Sequence, residues 1–503
     1  MNKFFLLLSF LFIGNYCFSQ NSGAKIEVKF DHPLWEWDGF GVNYVETRHT
    51  RDYSVFPQDY GGFKYLSEED RQLVLDMIFG EDGLKPGIIK AFADPFHEPV
   101  NDNDDPYSIE MDKFDHTTTT KWMLYFCREG EKRVKEWNGS LEYLAGLYGP
   151  PSWMSKQPGF RGRDLDKSKK LELAEYIVSW AKYLRETEGF NVKYISMHNE
   201  GEDARRWAEY GEDDTSYYHH DFNMLWPSYQ IVDFLTYADD ILYHNNMLDI
   251  KLACGETTTW ERLFKWWNHN YSYSCNIADE IKNEPEAMKN LGLITSHGFM
   301  KKYHNKGVEI LREVNPGLHA WTTSYTWDPM DHSIIEDARN LIYEVGCNAL
   351  IPWAVVHNKY ESDKLHPPMK FRKSSNACSP FYTNEGKITI TKAYYYFKQI
   401  CRAGQPHMNV AEVTTNNDSL KCIAFENGNT CNPDAFVVIN NSQSSIKAEL
   451  IISGTAHDSF RAYRTSDKEF GDENYKSIGK FAVKQKKMIY IAPANSVTTF
   501  EGE

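Results

Sequence analysis

The segment Val192-Lys-Tyr-Ile-Ser-Met-His-Asn-Glu200 predicts a short buried strand that ends at a pair of polar residues. An apolar run without strict alternation is typical of a parallel strand that is covered on both faces. In a (β/α)8 barrel, side chains at the C-terminal ends of the strands line the active site. We therefore expect Asn199 and Glu200 at the mouth of a barrel, although a glutamate here could instead cap the next helix.

Strand-like and helix-like segments alternate from about residue 37 to about residue 370, the pattern of a parallel sheet closed by helices. Residues 168–188 and 334–346, for example, carry apolar residues at helical spacing. The strand-like segments lie near Phe40 and at 88–92, 143–148, 192–197, 250–254, 293–296, 318–322 and 349–353. The sequence therefore predicts an α/β fold with a (β/α)8 TIM barrel over residues 36–384.

The sequence pattern changes at about residue 387, after which short strand-like segments alternate with clusters of Asn, Gly, Ser and Asp. This spacing predicts a C-terminal antiparallel β-sandwich. The alternating segment 24–30 is expected to join it as a further strand. The side domain would then comprise residues 20–35 together with residues 385–503.

Residues 1–19 predict a signal peptide that is cleaved near Ser19, because one lysine precedes an apolar run too short to span a bilayer. No later run approaches the length of a membrane helix. We therefore expect a secreted or periplasmic protein without a membrane span. The cysteines are scattered without zinc-ligand spacing, so we expect neither a metal nor another cofactor.

The net charge of −16 argues against a nucleic-acid partner, since no basic stripe is present to neutralise phosphates. Aromatic residues make up 15% of the chain, including 14 Trp and 31 Tyr. Such abundance can simply fill a large core. It also suits carbohydrate binding, in which flat rings stack on sugars and polar edges bind hydroxyls.

Cleavage of a glycosidic bond needs a proton for the leaving oxygen and a second carboxylate that attacks the sugar or activates water. Glu200 is the candidate proton donor, and Asn199 beside it could bind a sugar hydroxyl next to the reacting carbon. Several short motifs occur in a matching order along the chain: Gly39-Phe-Gly41, Pro150-Pro-Ser-Trp-Met154, Asn199-Glu200, Trp321-Thr-Thr-Ser324 and Ala393-Tyr-Tyr-Tyr-Phe-Lys398. With the C-terminal stretch 493–500, these motifs make the chain resemble glycoside hydrolase family 30. The resemblance implies a retaining β-glycosidase of clan A, with glutamates after the fourth and seventh barrel strands.

The chain departs from that pattern after the seventh strand, where Ser324 occupies the position of the family's nucleophile. A neutral hydroxyl cannot stabilise an oxocarbenium ion as a carboxylate does, and no evident base would activate it. The family's arginine near the second strand is also not obvious, because Lys90 and Asp94 occupy that region.

Three alternatives remain for the second catalytic group. Glu256 follows the fifth strand and ranks first, although it could equally be a hydrogen-bond partner of a sugar or a side chain. Asp328 or Asp331, just after Ser324, could hold a water, and Tyr325 could be a nucleophile if a carboxylate deprotonated it. Without the usual nucleophile, direct attack by water, and hence inversion at the anomeric carbon, becomes a hypothesis.

Other residues at strand ends are candidates for the substrate pocket. His297 follows the sixth strand, where it could bind sugar or serve as a core histidine, whereas His198 is expected to point into the barrel wall. Segments 101–120 and 202–221 could wall the cleft. Further pocket candidates are Asp94, Trp153, Trp260, Ser324, Tyr325 and Trp353. We therefore expect a secreted glycoside hydrolase acting on a polysaccharide or oligosaccharide; the alternative is a non-catalytic carbohydrate-binding protein on a degenerate barrel.

Overall fold

The computed structural model describes residues 23–47, 58–156, 164–201, 222, 224–264, 276–325, 331–358 and 379–503. The predicted leader, the predicted insertion 202–221 and Asp328 lie outside the described residues. The described chain begins with a long strand, β1 (Ala24–Trp37), which belongs to the C-terminal sheet.

Eight strands close into a barrel in their order along the chain, and the last strand pairs with the first. Every pairing in this barrel is parallel. The strands are β2 (Gly39–Asn43), β3 (Ile88–Ala93), β4 (Glu142–Leu147), β5 (Val192–Ser196), β6 (Lys251–Thr257), β7 (Leu291–Ser296), β8 (His319–Thr322) and β9 (Ala349–Leu350). The barrel predicted from the alternation of segments is confirmed.

Helices lie between successive barrel strands. Segment 168–188 forms α3 followed by a π-helical turn, Tyr183–Thr187, and segment 334–346 lies within α8 and a second π-helical turn, Leu341–Val345. The helices of the barrel are α1 (Glu68–Phe79), α2 (Lys121–Glu136), α3 (Lys170–Lys182), α4 (Ser228–His244), α5 (Ile277–Asn283), α6 (Pro285–Asn290), α7 (Lys306–Arg312) and α8 (His332–Asn340), and α9 (Lys392–Ala403) follows the barrel. Short 3-10 turns occur at Phe63–Tyr65, Met111–Lys113, Ser152–Met154, Lys167–Lys169, Trp260–Leu263 and Lys468–Phe470.

The side chains inside the barrel form an apolar layer and, nearer the C-terminal ends of the strands, a polar layer. Trp321 lies in the apolar layer, where its ring meets Tyr194 at 4.9 Å. Side chains on one face of a strand recur every two residues, so Lys90 lies on the same face as Ile88, one layer nearer the C-terminal end. The apolar layer comprises Ile88, Leu144, Ala253, Leu293, Trp321, Ala349 and Ile351. The polar groups above it therefore lie at the end of the barrel where such folds have their sites.

A small sheet adjoins the end of the barrel. Its three strands are β10 (Val356–Asn358), β11 (Phe381–Asn384) and β12 (Lys387–Ile390), in that order. The segment that starts at Lys387 was predicted to be a strand of the sandwich, but it pairs antiparallel with β11 instead. Its alternating residues suit either sheet, so the pattern alone does not choose the partner.

The C-terminal region forms one nine-stranded sheet around its own apolar core. As predicted, β1 joins this sheet, and it lies between β13 and β16. The sheet is mixed rather than purely antiparallel, because β1 pairs parallel with β16. The remaining strands are β13 (Met408–Thr415), β14 (Leu420–Glu426), β15 (Ala435–Asn440), β16 (Ile446–Ser453), β17 (Ser459–Ser466), β18 (Lys476–Ala482), β19 (Lys487–Ala492) and β20 (Ser496–Gly502).

Among the described residues, no helix combines the length and the apolar character needed to cross a membrane.

Candidate active site

Glu200 lies four residues beyond the last residue of β5, at the C-terminal end of the barrel. Its side chain is buried, and its Oε1 lies 2.9 Å from His297 Nδ1. Its backbone N–H donates to the carbonyl oxygen of Glu256 at 2.9 Å, so the two glutamates are joined through the main chain as well. Asn199 is buried directly before Glu200.

Glu256 is directed by an irregularity in β6. The pairing register between β6 and β7 shifts between Cys254 and Thr257, as at a β-bulge. A Cβ on Gly255, which has φ 99°, would lie 1.9 Å from the carbonyl oxygen of Thr295, so only glycine fits there. Bulges of this kind redirect side chains and are frequent next to active sites.

Within the described part of the chain, one oxygen of the Glu256 carboxylate forms all of its side-chain hydrogen bonds. Oε2 accepts from Lys90 Nζ at 2.6 Å and from Thr323 Oγ1 at 3.1 Å, and it lies 3.0 Å from His297 Nε2. Among the described residues, the other oxygen, Oε1, is buried without a hydrogen-bond partner. Burial would raise the pKa of this carboxyl group, but the charge of Lys90 and the bonds from His297 outweigh it and hold the pKa well below its usual range.

Lys90 is placed in the middle of the barrel by its position on β3. Its side chain is 3% exposed and forms an ion pair with Glu256, whose side chain is 1% exposed. Gly146 on the neighbouring strand β4 makes room for it, since a Cβ there would lie 3.2 Å from Lys90 Cε. The sequence indicated only that Lys90 stands in the region of the family's arginine; the pairing with Glu256 was not predicted.

His297 bridges the two carboxylates with its two ring nitrogens. Burial lowers the pKa of this imidazole, but the hydrogen bonds to Glu200 and Glu256 outweigh that effect, and the net result is a raised pKa. The raised pKa favours the charged imidazole, in which Nδ1–H donates to Glu200 and Nε2–H donates to Glu256. The imidazole thus connects the two carboxyl groups, of which Glu256 is held ionised.

The backbone conformations of both glutamates are unusual. Glu200 has φ 49° and Glu256 has φ 40°, a left-handed region that residues with a Cβ rarely adopt. Such conformations cost of order 1–3 kcal/mol each and cluster at active sites and ligand-binding sites. Glu200 and Glu256 are also joined by a backbone hydrogen bond, which adds to the reasons for treating this end of the barrel as the candidate site.

His198, which was predicted to point into the barrel wall, is buried, and the charged groups that act on it are Glu256, His297 and Lys90. Burial lowers the pKa of its imidazole to about 4. Thr323 is a second residue that the sequence did not single out. Neither would have been found from strand alternation, because both lie beyond the last residue of their strands.

Several residues that were predicted to line the pocket form hydrogen bonds to other parts of the protein. Asp94 accepts from Thr47 Oγ1 at 2.6 Å and from the Phe96 N–H at 2.9 Å. Trp153 donates to the carbonyl oxygen of Glu98 at 3.0 Å, and Trp260 donates to Thr322 Oγ1 at 3.1 Å.

Trp353 packs against an aromatic ring that lies next to Lys90. Its ring meets that of Phe92 at 6.0 Å, and Lys90 Nζ lies 5.2 Å from the same Phe92 ring. Trp353 and Trp260 are buried, whereas Trp153 is half-buried.

The residues after β8 do not supply a second carboxylate within the described part of the chain. Ser324 is buried, and no described residue hydrogen-bonds its hydroxyl. Tyr325 is buried in the apolar core, and burial, with smaller contributions from Cys401 and Asp337, raises the pKa of its hydroxyl well above its usual value. Asp331 caps α8 by accepting from the Ser333 N–H. Tyr325 as nucleophile and Asp331 as base are therefore not supported.

The described residues contain no group of three or more His, Cys, Asp or Glu side chains arranged to hold a metal ion.

Solved structures similar to this chain share its whole architecture. A GH30 endoxylanase from Clostridium papyrosolvens matches with a TM-score of 0.65 at 16% identity, over 95% of this chain and 100% of that one. The catalytic domain of GH30 xylanase C from Talaromyces cellulolyticus matches with a TM-score of 0.68 at 15% identity, over 95% and 100%. An endo-beta1,6-glucanase matches with a TM-score of 0.64 at 16% identity, over 95% and 93%. At these identities the similarity shows the fold, and it supports the predicted likeness to family 30 at that level.

No protein-family model matches the chain, and no curated protein matches it.

Proposed function

We propose that the protein is a glycoside hydrolase in which Glu200 protonates the leaving oxygen and Glu256 is the second carboxylate. The observation that carries the proposal is the arrangement of Glu200, His297, Glu256 and Lys90 at the C-terminal end of the barrel. In this proposal Glu200 supplies the proton, and Glu256, whose pKa is lowered, stays ionised. Two carboxyl groups with opposite protonation states are what hydrolysis of a glycosidic bond requires.

We propose further that Glu256 activates a water molecule, so that the anomeric configuration is inverted. The imidazole of His297 stands between the two carboxylates, and inversion requires a separation of about 6.5–9.5 Å, compared with about 5–5.5 Å for retention. The buried oxygen Oε1 of Glu256, without a partner among the described residues, could accept a proton from that water. Thr323 and Ser324 occupy the region after β8, where the resemblance implies a nucleophile.

The substrate class is proposed from the architecture. The similar structures are named as xylanases and an endo-beta1,6-glucanase, so a β-linked polysaccharide or its oligosaccharides is the natural first choice. Export from the cytoplasm by the predicted leader 1–19 is part of the same proposal, since polysaccharides are met outside the cell.

The test is hydrolysis of xylan, β-1,6-glucan and β-1,4-glucan oligosaccharides, with proton NMR of the anomer formed first. We expect the inverted anomer, and a loss of about a hundredfold to ten-thousandfold in kcat for Glu200→Gln. The matched control is Glu142→Gln, because Glu142 begins β4 at the opposite end of the barrel. A retained anomer would refute water attack, and full activity of Glu200→Gln would refute the assignment of the acid.

A carbohydrate-binding protein is the second candidate. The observation in its favour is that Oε2 of Glu256 forms the bonds expected of a buried structural ion pair. Binding of these oligosaccharides by the wild-type protein, without hydrolysis over days, would favour it.

A further inference from the structure

His198 combines burial with a lack of hydrogen-bond partners. It is 2% exposed, and among the described residues neither Nδ1 nor Nε2 has a partner. A buried polar group without a partner costs about 1–3 kcal/mol, and native structures contain few of them. Two such atoms on one ring, at the end of a barrel strand, point to a ligand that supplies the missing bonds.

The groups around His198 include charged residues of the candidate active site. The ring of Trp226 lies 6.0 Å away at an interplanar angle of 39° and covers one side of the imidazole. The charged groups that act on it are Glu256, His297 and Lys90. All three belong to the candidate active site, so His198 lies at the same end of the barrel as that site.

The imidazole is neutral under ordinary conditions, because burial lowers its pKa to about 4. A neutral imidazole offers one N–H donor and one acceptor nitrogen. A hydroxyl group can both donate and accept, so two hydroxyl groups on adjacent carbons of a sugar could satisfy both ring nitrogens.

The charges of the candidate active site indicate whether a neutral or a charged sugar would bind there. Lys90 is paired with Glu256, and His297 is bonded to both carboxylates. Within the described part of this group, every cation is therefore already matched by a carboxylate. A sugar carrying a carboxylate or sulfate would find no unmatched cation there, and it would be repelled by the ionised Glu256.

We propose that His198 is a specificity-determining residue that binds hydroxyl groups of a neutral sugar ring held beside Glu256. This inference rests on the proposed function for the location of the substrate, but it concerns recognition and not hydrolysis. It can therefore be tested by binding alone.

The binding test uses the full chain with Glu200→Gln, so that bound oligosaccharide is not hydrolysed. Protein labelled with 15N-histidine is titrated with xylotetraose, cellotetraose and gentiotetraose, and with tetragalacturonate as the anionic counterpart. The His198 signals are those lost in a second protein that also carries His198→Phe. We expect a neutral tetrasaccharide to shift the His198 nitrogen signals and tetragalacturonate to leave them in place.

Calorimetry on the same proteins measures how much His198 contributes to the binding affinity. We expect His198→Phe, which keeps the ring size, to weaken binding about tenfold, because one net hydrogen bond contributes about 1 kcal/mol. His198→Gln, which keeps a donor and an acceptor, should recover part of the affinity. The control is His116→Phe, since His116 is also buried with a lowered pKa but bonds to His97 away from the carboxylates.

Each outcome decides between the two proposals. Binding of a neutral tetrasaccharide without a change in the His198 signals, or equal affinity of His198→Phe, overturns the inference and leaves the proposed function standing. A shift of the His198 signals in a wild-type protein that hydrolyses none of these sugars supports the inference and refutes the proposed function. Tighter binding of tetragalacturonate than of all neutral sugars also overturns the inference, and so does the absence of any binding.

Discussion

Two groups of buried carboxylates on the same barrel behave in opposite ways. Glu256 is held ionised, with its pKa well below the usual range. Glu98, which follows β3, has its pKa raised to about 8, chiefly by burial and further by Asp102 and Glu172, and the pKa of Glu175 on α3 is raised further still. We call Glu98, Asp102, Glu172 and Glu175 the acidic group.

The difference lies in the partners and not in the burial, since Glu98, Glu175 and Glu256 are each only 1% exposed. Glu256 has a lysine at 2.6 Å and an imidazole at 3.0 Å. The nearest neighbours of Glu175 are other carboxylates, and the cation that acts on Glu98, Lys169, is the weakest of its influences. Burial by itself favours the protonated form, and a carboxylate stays ionised in a protein interior only where a cation is built in beside it.

The largest effect expected from this comparison is on activity. Glu256→Gln should lower kcat by at least about a thousandfold, because it removes the ionised carboxylate that the reaction requires. Glu175→Gln, at a residue equally buried but protonated, should leave kcat within about twofold. Steady-state kinetics on the best oligosaccharide substrate measures both. Equal losses in the two variants would mean that the ionisation state of Glu256 is irrelevant to function.

The next effect is on stability. Lys90→Met should lower the free energy of unfolding by about 3–5 kcal/mol, because it leaves the carboxylate of Glu256 buried without its cation. Adding Glu256→Gln to Lys90→Met should recover most of that loss, which urea denaturation can measure. If the double variant were no more stable than Lys90→Met, the cation would act through packing against Gly146 and not through charge.

A smaller effect concerns the pH dependence of stability, which should have opposite signs in the two regions. The folded pKa of Glu98 is raised, so its contribution is complete below the unfolded pKa of about 4.3 and is lost as pH rises through about 8. The folded pKa of Glu256 is lowered, so its contribution is present above that unfolded value and is lost as the pH falls.

Thermal melts between pH 4 and pH 9 would separate the two contributions. Glu98→Gln should raise Tm by a few degrees at pH 9 relative to wild type and change it little at pH 5. Glu256→Gln should show no such alkaline gain. A Glu98→Gln protein whose Tm follows the wild type at every pH would contradict the raised pKa.

The candidate site and the acidic group also show how much of the structure could be predicted from the sequence. The strand pattern located the eight barrel strands, and the positions of Glu200, Glu256 and His297 just after the predicted strands selected three residues of the candidate site, although Glu256 in fact lies within β6. Lys90 could not be assigned its role, because its partner lies 166 positions away across the barrel. Side chains alternate between the two faces of a sheet only within a strand. Because β5 ends at Ser196, this alternation could not predict the direction of the His198 side chain.

Two further features lay beyond sequence pattern. Asp331 was considered as a base because it follows Ser324 closely, yet its carboxylate caps α8, a use that any aspartate before a helix can have. The acidic group was not foreseen either, since Glu98 and Glu175 come together only through the packing of the loop after β3 on α3. A local signal did exist for Glu256: the preceding glycine is the usual mark of a bulge.

The smallest effect comes from an ion pair that, unlike Lys90–Glu256, is exposed to solvent. Lys170 Nζ lies 2.9 Å from Asp233 Oδ2, with side chains 39% and 45% exposed. Because water solvates both groups and salt screens them, Asp233→Asn should cost no more than about 1 kcal/mol of unfolding free energy. That cost should also disappear in 1 M salt, where the Debye length falls to about 3 Å. Lys90→Met should keep its full effect in the same salt, because its partner is buried. Urea denaturation of both variants at low and high salt would measure the contrast, and a salt-sensitive Lys90→Met would show that solvent reaches the interior of the barrel.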